Sequence, residues 1–204
     1  MQKFARFVSY VFHPIFAPLI SLYILFQLPL LQNYRLTEFY KQYIYGAMLI
    51  NLVIVPLLMS FYFKRIGIIK SLEMKTLEER RTPYLMSLIF YFFTLLLLYY
   101  TKFPIVYVKA FLGATLVVGA LYLFTFLKLK VSAHLSGIGG ICGLLFVLSN
   151  IYMVELTNLL LLFIVLSGVV ATARMTLKAH SYWELSLGFL LGFFSAFMVY
   201  LPWF

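Results

Sequence analysis

Long apolar runs, separated by short polar gaps, follow one another along the whole chain. A helix needs about 20 mainly apolar residues to cross the hydrocarbon core of a bilayer. By that measure the sequence predicts an all-α fold, a multi-pass transmembrane helical bundle of about seven spans, with six as the alternative. No gap is long enough for a second domain, so residues 1–204 are interpreted as one membrane-embedded domain. The predicted spans are residues 8–30, 42–63, 84–100, 105–127, 136–154, 157–173 and 185–204.

Composition excludes a water-soluble globular domain. Of the 204 residues, 64% are hydrophobic, 20% are aromatic and only 11% are charged. A soluble domain of this size leaves much of its surface exposed and needs charge to cover it, so the bilayer is the expected solvent. The formal net charge is +10. Because the Lys and Arg residues lie in gaps beside apolar runs, the expected partners are lipid phosphates and not nucleic acid.

The charged gaps divide unevenly between the two membrane faces. With seven spans, the amino terminus and the gaps 64–83, 128–135 and 174–184 share one face, here called the motif face, which carries twelve of the 16 Lys and Arg residues. The other face carries four. Basic residues are enriched on the cytoplasmic side of membrane proteins, so the charge count places the motif face in the cytoplasm.

Side chains suited to phosphate chemistry concentrate in the gaps of the motif face. In the gap 174–184, His180 and Glu184 are four residues apart. On a helix they share a face, so the carboxylate can accept a hydrogen bond from one imidazole nitrogen and leave the other free. By itself such a pair is also typical of a helix cap or an interfacial contact. Arg174 adds a planar donor fork that suits a phosphoryl group.

Two further gaps on the motif face supply groups that converge with this pair. Ser132 and His134 stand immediately before a predicted span, where the free N–H groups of a helix start can hold an anion. The gap after the second span supplies Lys75, Arg80 and Arg81. Two histidines, one carboxylate and several cations provide a nucleophile, a proton donor and charge stabilisation, which is what phosphoryl transfer without a metal ion requires.

Metal-dependent membrane enzymes fit this sequence poorly. The chain contains no Asp, whereas enzymes that gather Mg²⁺ in membranes commonly do so with repeated aspartates. Neither a Walker loop nor a set of His, Cys and Glu with zinc spacing occurs. The sequence therefore predicts no metal and no cofactor. A third histidine, His13, lies near the predicted start of the first span; it either lines the mouth of the site or caps the turn at Pro14.

At these motifs the chain resembles the type 2 phosphatidic acid phosphatase superfamily of integral-membrane lipid phosphatases, whose signature is K-x6-R-P, then P-S-G-H, then S-R-x5-H-x3-D. The third motif here reads Ala173-Arg174, five residues, His180, three residues, Glu184. The spacing is kept, and Glu stands where the family has Asp. Glu has the longer side chain, so the resemblance implies that Glu184→Asp keeps or raises activity.

The other two motifs depart further from the family pattern. The second reads VSAH at residues 131–134, with Ala in the Gly position and no Pro. The first begins at Lys75 and reaches Thr82-Pro83 after six residues, with the arginines displaced to positions 80 and 81. An apolar hairpin, residues 84–127, separates the first two motifs, which often share a loop in the family.

The resemblance implies hydrolysis of a lipid phosphate or pyrophosphate monoester, without a metal ion, through a phosphohistidine intermediate at the membrane interface. His180 would be the nucleophile, Glu184 would orient it, and His134 would protonate the leaving group and later activate water. The implied phosphate ligands are Lys75, Arg81, Arg174 and Ser132, with Arg80 as a further candidate.

The implied substrate is a membrane phospholipid or a polyprenyl phosphate, in a membrane that the family's bacterial members suggest is a bacterial cytoplasmic membrane. Two alternatives stay open on the sequence. One is a catalytically inactive relative that acts as a lipid-binding or transport protein. The other keeps the phosphohistidine but passes the phosphate to an acceptor other than water. The sequence predicts no oligomeric state.

Overall fold

The computed structural model describes residues 1–28 and 36–201, and within them the chain is helical and has no strand. A 3₁₀ turn, Pro14–Phe16, joins the first two helices, and a π-helical turn, Ile50–Ile54, joins the third to the fourth. The helices are α1 (Gln2–Val11), α2 (Ala17–Gln27), α3 (Glu38–Leu49), α4 (Val55–Arg65), α5 (Leu77–Tyr100), α6 (Ile105–Phe126), α7 (Ala133–Tyr152), α8 (Thr157–Thr176) and α9 (Tyr182–Met198).

The chain is a multi-pass membrane protein. With α1–α2 and α3–α4 each taken as one segment, six segments of the described chain are long and apolar enough to cross a bilayer. The seventh, α9, has 17 residues and is about 26 Å long at 1.5 Å per residue. The prediction of an all-α membrane bundle is confirmed. The predicted ends of the first and last spans, at residues 30 and 204, lie outside the described residues.

Helix α9 runs from one end of the bundle to the other. Its first turn lies beside the start of α7, where the Ser132 N–H donates to the Glu184 carbonyl oxygen at 3.1 Å. Just after its last turn, the Tyr200 hydroxyl donates to the Val106 carbonyl oxygen at 2.5 Å, in the first turn of α6 at the opposite end. The path of α9 therefore agrees with a seventh crossing.

The start of α5 differs from the predicted span, which begins at residue 84. The helix begins at Leu77 because the Thr76 side chain caps it, accepting the Glu79 N–H at 3.3 Å, and because acidic residues in a first turn interact favourably with the helix dipole. Arg80 and Arg81 therefore lie on a helix and not in a loop. Consecutive helical residues point about 100° apart, so the two arginines face different neighbours.

Glycines bring α7 and α9 into close contact. A Cβ at Gly139 would overlap the Phe189 carbonyl oxygen, and a Cβ at Gly192 would overlap that of Ser136. Small residues at helical spacing allow this approach in membranes, and Gly137, Gly139, Gly140 and Gly143 supply them on α7. The close packing aligns the starts of the two helices, and those starts carry His134 and Glu184.

Candidate active site

A cavity of about 1060 Å³ opens between helix ends on the motif face and continues into the bundle. Both His134 and His180 line its polar end, together with residues from four separate parts of the chain. Glu73 is the one acidic residue among the described residues that line it. The cations that line it are Arg6, Lys75, Arg80, Lys130, Arg174 and Lys178. Six cations against one carboxylate make this end of the cavity suited to an anion.

The His180 imidazole is held by a carboxylate. Its Nδ1 lies 2.6 Å from Glu184 Oε2, and its side chain is 2% exposed. An ionised carboxylate can only accept, so Nδ1 carries the hydrogen and Nε2 keeps its lone pair. This arrangement presents one imidazole nitrogen as a nucleophile and orients it through the other.

The chain around Glu184 explains why this carboxylate is in place. Ser181 and Glu184 form a capping box at the start of α9: the Ser181 hydroxyl accepts the Glu184 N–H at 3.4 Å, and Glu184 Oε2 accepts the Ser181 N–H at 3.4 Å. Lys130 Nζ lies 3.7 Å from the same oxygen and donates to the Ala179 carbonyl oxygen at 2.8 Å. Glu184 therefore caps the helix and orients His180 with one side chain.

The surroundings of His180 favour its neutral form. Burial lowers its pKa below the ordinary value of 6.5 because a charged imidazolium is poorly solvated there. The hydrogen bond to Glu184 raises the pKa, and the positive charges of Arg80 and Arg174 lower it further. At neutral pH the imidazole is therefore unprotonated at Nε2 and able to attack an electrophile.

The second histidine is held by the backbone of α1. His134 is 9% exposed, and its Nε2 lies 3.1 Å from the Ser9 carbonyl oxygen. A carbonyl oxygen only accepts, so Nε2 carries the hydrogen and Nδ1 is the nitrogen left for proton transfer. The His13 ring packs edge-on against it, with the ring centroids 5.4 Å apart. The partner of His134 is thus a main-chain group 125 residues away in sequence.

Arg174 brings an unpaired guanidinium group to the cavity. It lies in the last turn of α8, and its Nε is buried with no hydrogen-bond partner. No ion pair to Arg174 occurs among residues 1–28 and 36–201. A buried polar group without a partner is costly, and an anionic oxygen in the cavity would supply that partner. Of the predicted phosphate ligands, Arg174 has the strongest structural support.

Of the two neighbouring arginines, Arg80 lines the cavity and Arg81 does not. Arg80 is 8% exposed, and its Nε donates to the Met74 carbonyl oxygen at 2.9 Å. Arg81 turns toward α6, where it donates to the Thr125 carbonyl oxygen at 3.4 Å and stacks over the Phe126 ring at 4.7 Å. The structure therefore reverses the order in which the sequence ranks them.

This difference predicts opposite phenotypes for two adjacent substitutions. If the site binds phosphate, Arg80→Ala removes a cation from the cavity, and we expect phosphate-dependent activity to fall about 100-fold, as for loss of one donor to a developing anion. Arg81→Ala removes a cation–π contact worth about 1 kcal/mol and should lower the thermal unfolding temperature with a far smaller loss of activity. Steady-state kinetics and thermal unfolding of both purified variants check this; equal losses of activity would contradict it.

Three other predicted residues occupy different positions. Lys75 lines the mouth, where its side chain is 78% exposed and lies 3.8 Å from Glu73. Ser132 is fully buried, and its hydroxyl caps α7 by accepting the Leu135 N–H at 3.5 Å; it is not among the residues lining the cavity. His13 lines the cavity and also caps the turn after it, since its Nδ1 accepts the Ile15 N–H at 3.4 Å.

Comparison of the chain with protein-family models, with curated proteins and with solved structures finds no match.

Sequence reasoning did not assign several residues that the structure brings to the site. Lys130 holds Glu184 and the Ala179 carbonyl oxygen, while Tyr84 and Ser87 line the cavity from α5. The signal for Lys130 was its place on the motif face, four residues before His134. Tyr84 and Ser87 follow Arg80 at helical spacing, which becomes visible only when α5 is known to begin at Leu77.

Proposed function

We propose that the protein is a lipid phosphatase that hydrolyses a lipid phosphate or pyrophosphate monoester, without a metal ion, through a phosphohistidine on His180. The observation that carries the proposal is the His180–Glu184 pair, which leaves Nε2 unpaired in a cavity that also holds the unpartnered Arg174. In the mechanism that the resemblance to the type 2 phosphatidic acid phosphatases implies, His180 is the nucleophile, Glu184 orients it and Arg174 binds the phosphoryl oxygens.

In the first step, His180 Nε2 attacks the phosphorus atom. The new N–P bond forms as the bond from phosphorus to the leaving oxygen breaks, and the electron pair stays on that oxygen. His134, protonated on both nitrogens, gives its Nδ1 proton to the leaving alkoxide or phosphate. Arg174 and Arg80 neutralise the charge on the phosphoryl oxygens, and Glu184 stabilises the positive charge that develops on His180.

In the second step, water replaces the histidine. His134, now neutral at Nδ1, takes a proton from the water as its oxygen attacks phosphorus. The N–P bond breaks, its electron pair returns to His180 Nε2, and inorganic phosphate leaves. The enzyme returns to its starting protonation state with one water consumed. Lys75 and Lys178, at the mouth of the cavity, attract the anionic headgroup and do not take part in bond making.

We place the site at the membrane–water boundary, on the cytoplasmic side of a bacterial cytoplasmic membrane. The basis for sidedness is the excess of Lys and Arg on the motif face. A reporter enzyme fused at the carboxyl terminus should then report from the side opposite the cytoplasm, because α9 carries the chain across the bundle.

The function is tested by phosphate release from detergent-purified protein. The substrates are phosphatidate, phosphatidylglycerophosphate and polyprenyl mono- and diphosphates, each with and without EDTA. We expect EDTA-resistant release from at least one of them, and an acid-labile, base-stable phosphoryl group on the protein after rapid quenching. Tight lipid binding with no turnover would contradict the proposal and favour the binding or transport alternative. If added alcohols are phosphorylated and the release of inorganic phosphate falls accordingly, the protein is a phosphotransferase.

The proposal also predicts the pH dependence of activity. Attack requires neutral His180, and its pKa lies below 6.5 in the folded protein, so protonation of His180 should lower kcat/KM only below pH 6.5, while loss of the His134 proton sets a separate limb on the basic side. The check is a pH profile of kcat/KM for a monophosphate and a diphosphate with the same chain. An acidic limb that both substrates share comes from a group on the enzyme and not from the substrate phosphate. A shared limb centred at or above pH 6.5 would contradict the assignment of that group as His180.

A further inference from the structure

The polar site is only one end of the cavity. Below the histidines and arginines, the walls become apolar and are formed by α2, the α3–α4 segment, α5, α6, α7 and α9. Arg80 at the polar end and Leu98 at the other both line it, and they are 18 residues apart on the single helix α5. At 1.5 Å per residue the cavity is therefore about 27 Å deep, close to the hydrocarbon thickness of a bilayer.

Aromatic side chains close the far end. Tyr107 is 3% exposed and lines the cavity. Behind it, Phe103 packs with its ring centroid 4.7 Å from that of Tyr107, and Phe26 packs at 5.5 Å. Leu25 and Leu98, each 1% exposed, complete this floor. The cavity is thus a chamber with a polar entrance and an apolar floor.

The chamber also has a route from the lipid. Phe16, Leu57 and Phe61 line it and are 38%, 45% and 51% exposed, more than the residues at its closed end. These residues lie on the turn before α2 and on α4, so the gap between those two elements joins the chamber to the surrounding hydrocarbon. A chain can enter sideways there while its headgroup remains at the motif face.

Physical chemistry decides what occupies the apolar part. Protein interiors are packed closely, so a cavity of about 1060 Å³ is not left empty in contact with lipid. Water is a poor occupant because the wall is mainly apolar and offers few hydrogen-bond partners, such as Ser60, Ser87 and Ser136. A hydrocarbon chain fits both conditions, and the phosphate of the same molecule would lie at Arg174.

The depth selects among lipid phosphates. The hydrocarbon core of a bilayer is about 30 Å thick and holds two leaflets, so one acyl chain of a phospholipid reaches about 15 Å. Such a chain would leave the lower half of the chamber unfilled. A single chain that reaches the aromatic floor must be about twice as long, which is the property of polyprenyl phosphates.

We propose that the chamber encloses the single hydrocarbon chain of a polyprenyl phosphate or diphosphate, from Arg174 to the floor at Tyr107, and that its depth makes the enzyme select long chains. This inference rests on the proposed function for the headgroup reaction. The chain is enclosed within the bundle and is not left in the bilayer.

The test is a chain-length series in the same detergent at equal mole fraction: geranyl, farnesyl, geranylgeranyl and undecaprenyl phosphates, and dioleoyl phosphatidate. We expect kcat/KM to rise about 100-fold along the prenyl series, since even one methylene in an apolar pocket can change it about tenfold, and phosphatidate to be a poor substrate. Equal kcat/KM for every prenyl chain, or phosphatidate as the best substrate, would overturn the inference and leave the phosphatase in place.

A substitution that shortens the chamber gives a second readout. Ala114 lines the chamber near the middle of α6, so Ala114→Phe should lower kcat/KM for undecaprenyl phosphate about tenfold or more and leave geranyl phosphate nearly unchanged. The matched control is Leu116→Phe, on the same helix but 49% exposed and outside the chamber. Equal effects on short and long chains would count against the chamber; if Ala114→Phe does not fold, the wild-type series alone decides.

Binding without turnover separates this inference from the proposed function. Undecaprenyl phosphate should raise the thermal unfolding temperature of the wild type and of Leu116→Phe, and raise that of Ala114→Phe much less. If no lipid phosphate is hydrolysed but this pattern is found, the phosphatase proposal fails and the chamber stands. If phosphate is released and the pattern is absent, the chamber fails and the phosphatase stands.

Discussion

His180→Ala should reduce phosphate release to background while leaving the protein folded. The expected loss in kcat is about 10⁴-fold or more, the range found when the nucleophile of a covalent mechanism is removed. The reason is geometric: His180 Nδ1 is bound to Glu184 Oε2, so Nε2 is the ring nitrogen that can attack. The measurement is the rate of phosphate release together with the amount of phosphoryl-protein in samples quenched and kept in base.

Two controls make this prediction discriminating. His134→Ala should also stop turnover, but with an activated diphosphate substrate, whose leaving group needs no proton, it should still form some phosphoryl-protein, which His180→Ala cannot. The thermal unfolding temperature of each variant shows whether the bundle is intact. Base-stable phosphoryl-protein in His180→Ala at the wild-type level would remove His180 as the nucleophile.

The structure and the family resemblance make opposite predictions for the activity of Glu184→Asp. The resemblance implies that Asp at this position keeps or raises activity, because the related family has Asp there. In this chain, however, the Glu side chain already reaches His180 at 2.6 Å and closes a capping box with Ser181. A shorter arm cannot make both contacts without a backbone shift, and errors of about an ångström in positioning can cost roughly 100-fold. The structure therefore favours a loss.

The membrane bundle could be predicted because it depends on local properties of the sequence. Runs of about 20 apolar residues have few alternatives to a spanning helix, and the predicted spans 105–127 and 157–173 differ from α6 and α8 by no more than three residues at any end. The early start of α5 was missed because its first two turns are polar, and a hydropathy measure reads only apolar residues. The cap at Thr76 and the acidic residues after it were the available signal.

The site was predictable in part. His180 and Glu184 are four residues apart, so their contact follows from local geometry, and the shared sidedness of the motifs brought in His134 and Arg174. The bond from His134 to the Ser9 carbonyl oxygen was not predictable, because a main-chain acceptor 125 residues away has no side-chain signature. The chamber was equally hidden, since a residue facing a cavity and a residue in a packed core have the same apolar side chain.

Arg174→Ala should lower activity and leave the stability of the ligand-free protein unchanged or higher. The guanidinium is partly buried without a hydrogen-bond or ion-pair partner among the described residues, so its desolvation is not compensated until an anion binds. In the reaction it faces the oxygens on which charge develops, and loss of such a donor costs about 10²- to 10³-fold in kcat. Kinetics and thermal unfolding, each with and without inorganic phosphate, measure both effects.

The pattern across three variants identifies the role of this arginine. Arg174→Lys keeps the charge but lacks the planar donor fork, so it should recover only part of the lost rate. Arg65→Ala removes one positive charge from the same membrane face at a residue that does not line the cavity, and it should leave kcat unchanged. Phosphate should raise the unfolding temperature of the wild type and of Arg65→Ala but not of Arg174→Ala. A structural arginine would give the reverse, with Arg174→Ala less stable and phosphate stabilisation retained, because its loss would remove packing and not a binding group.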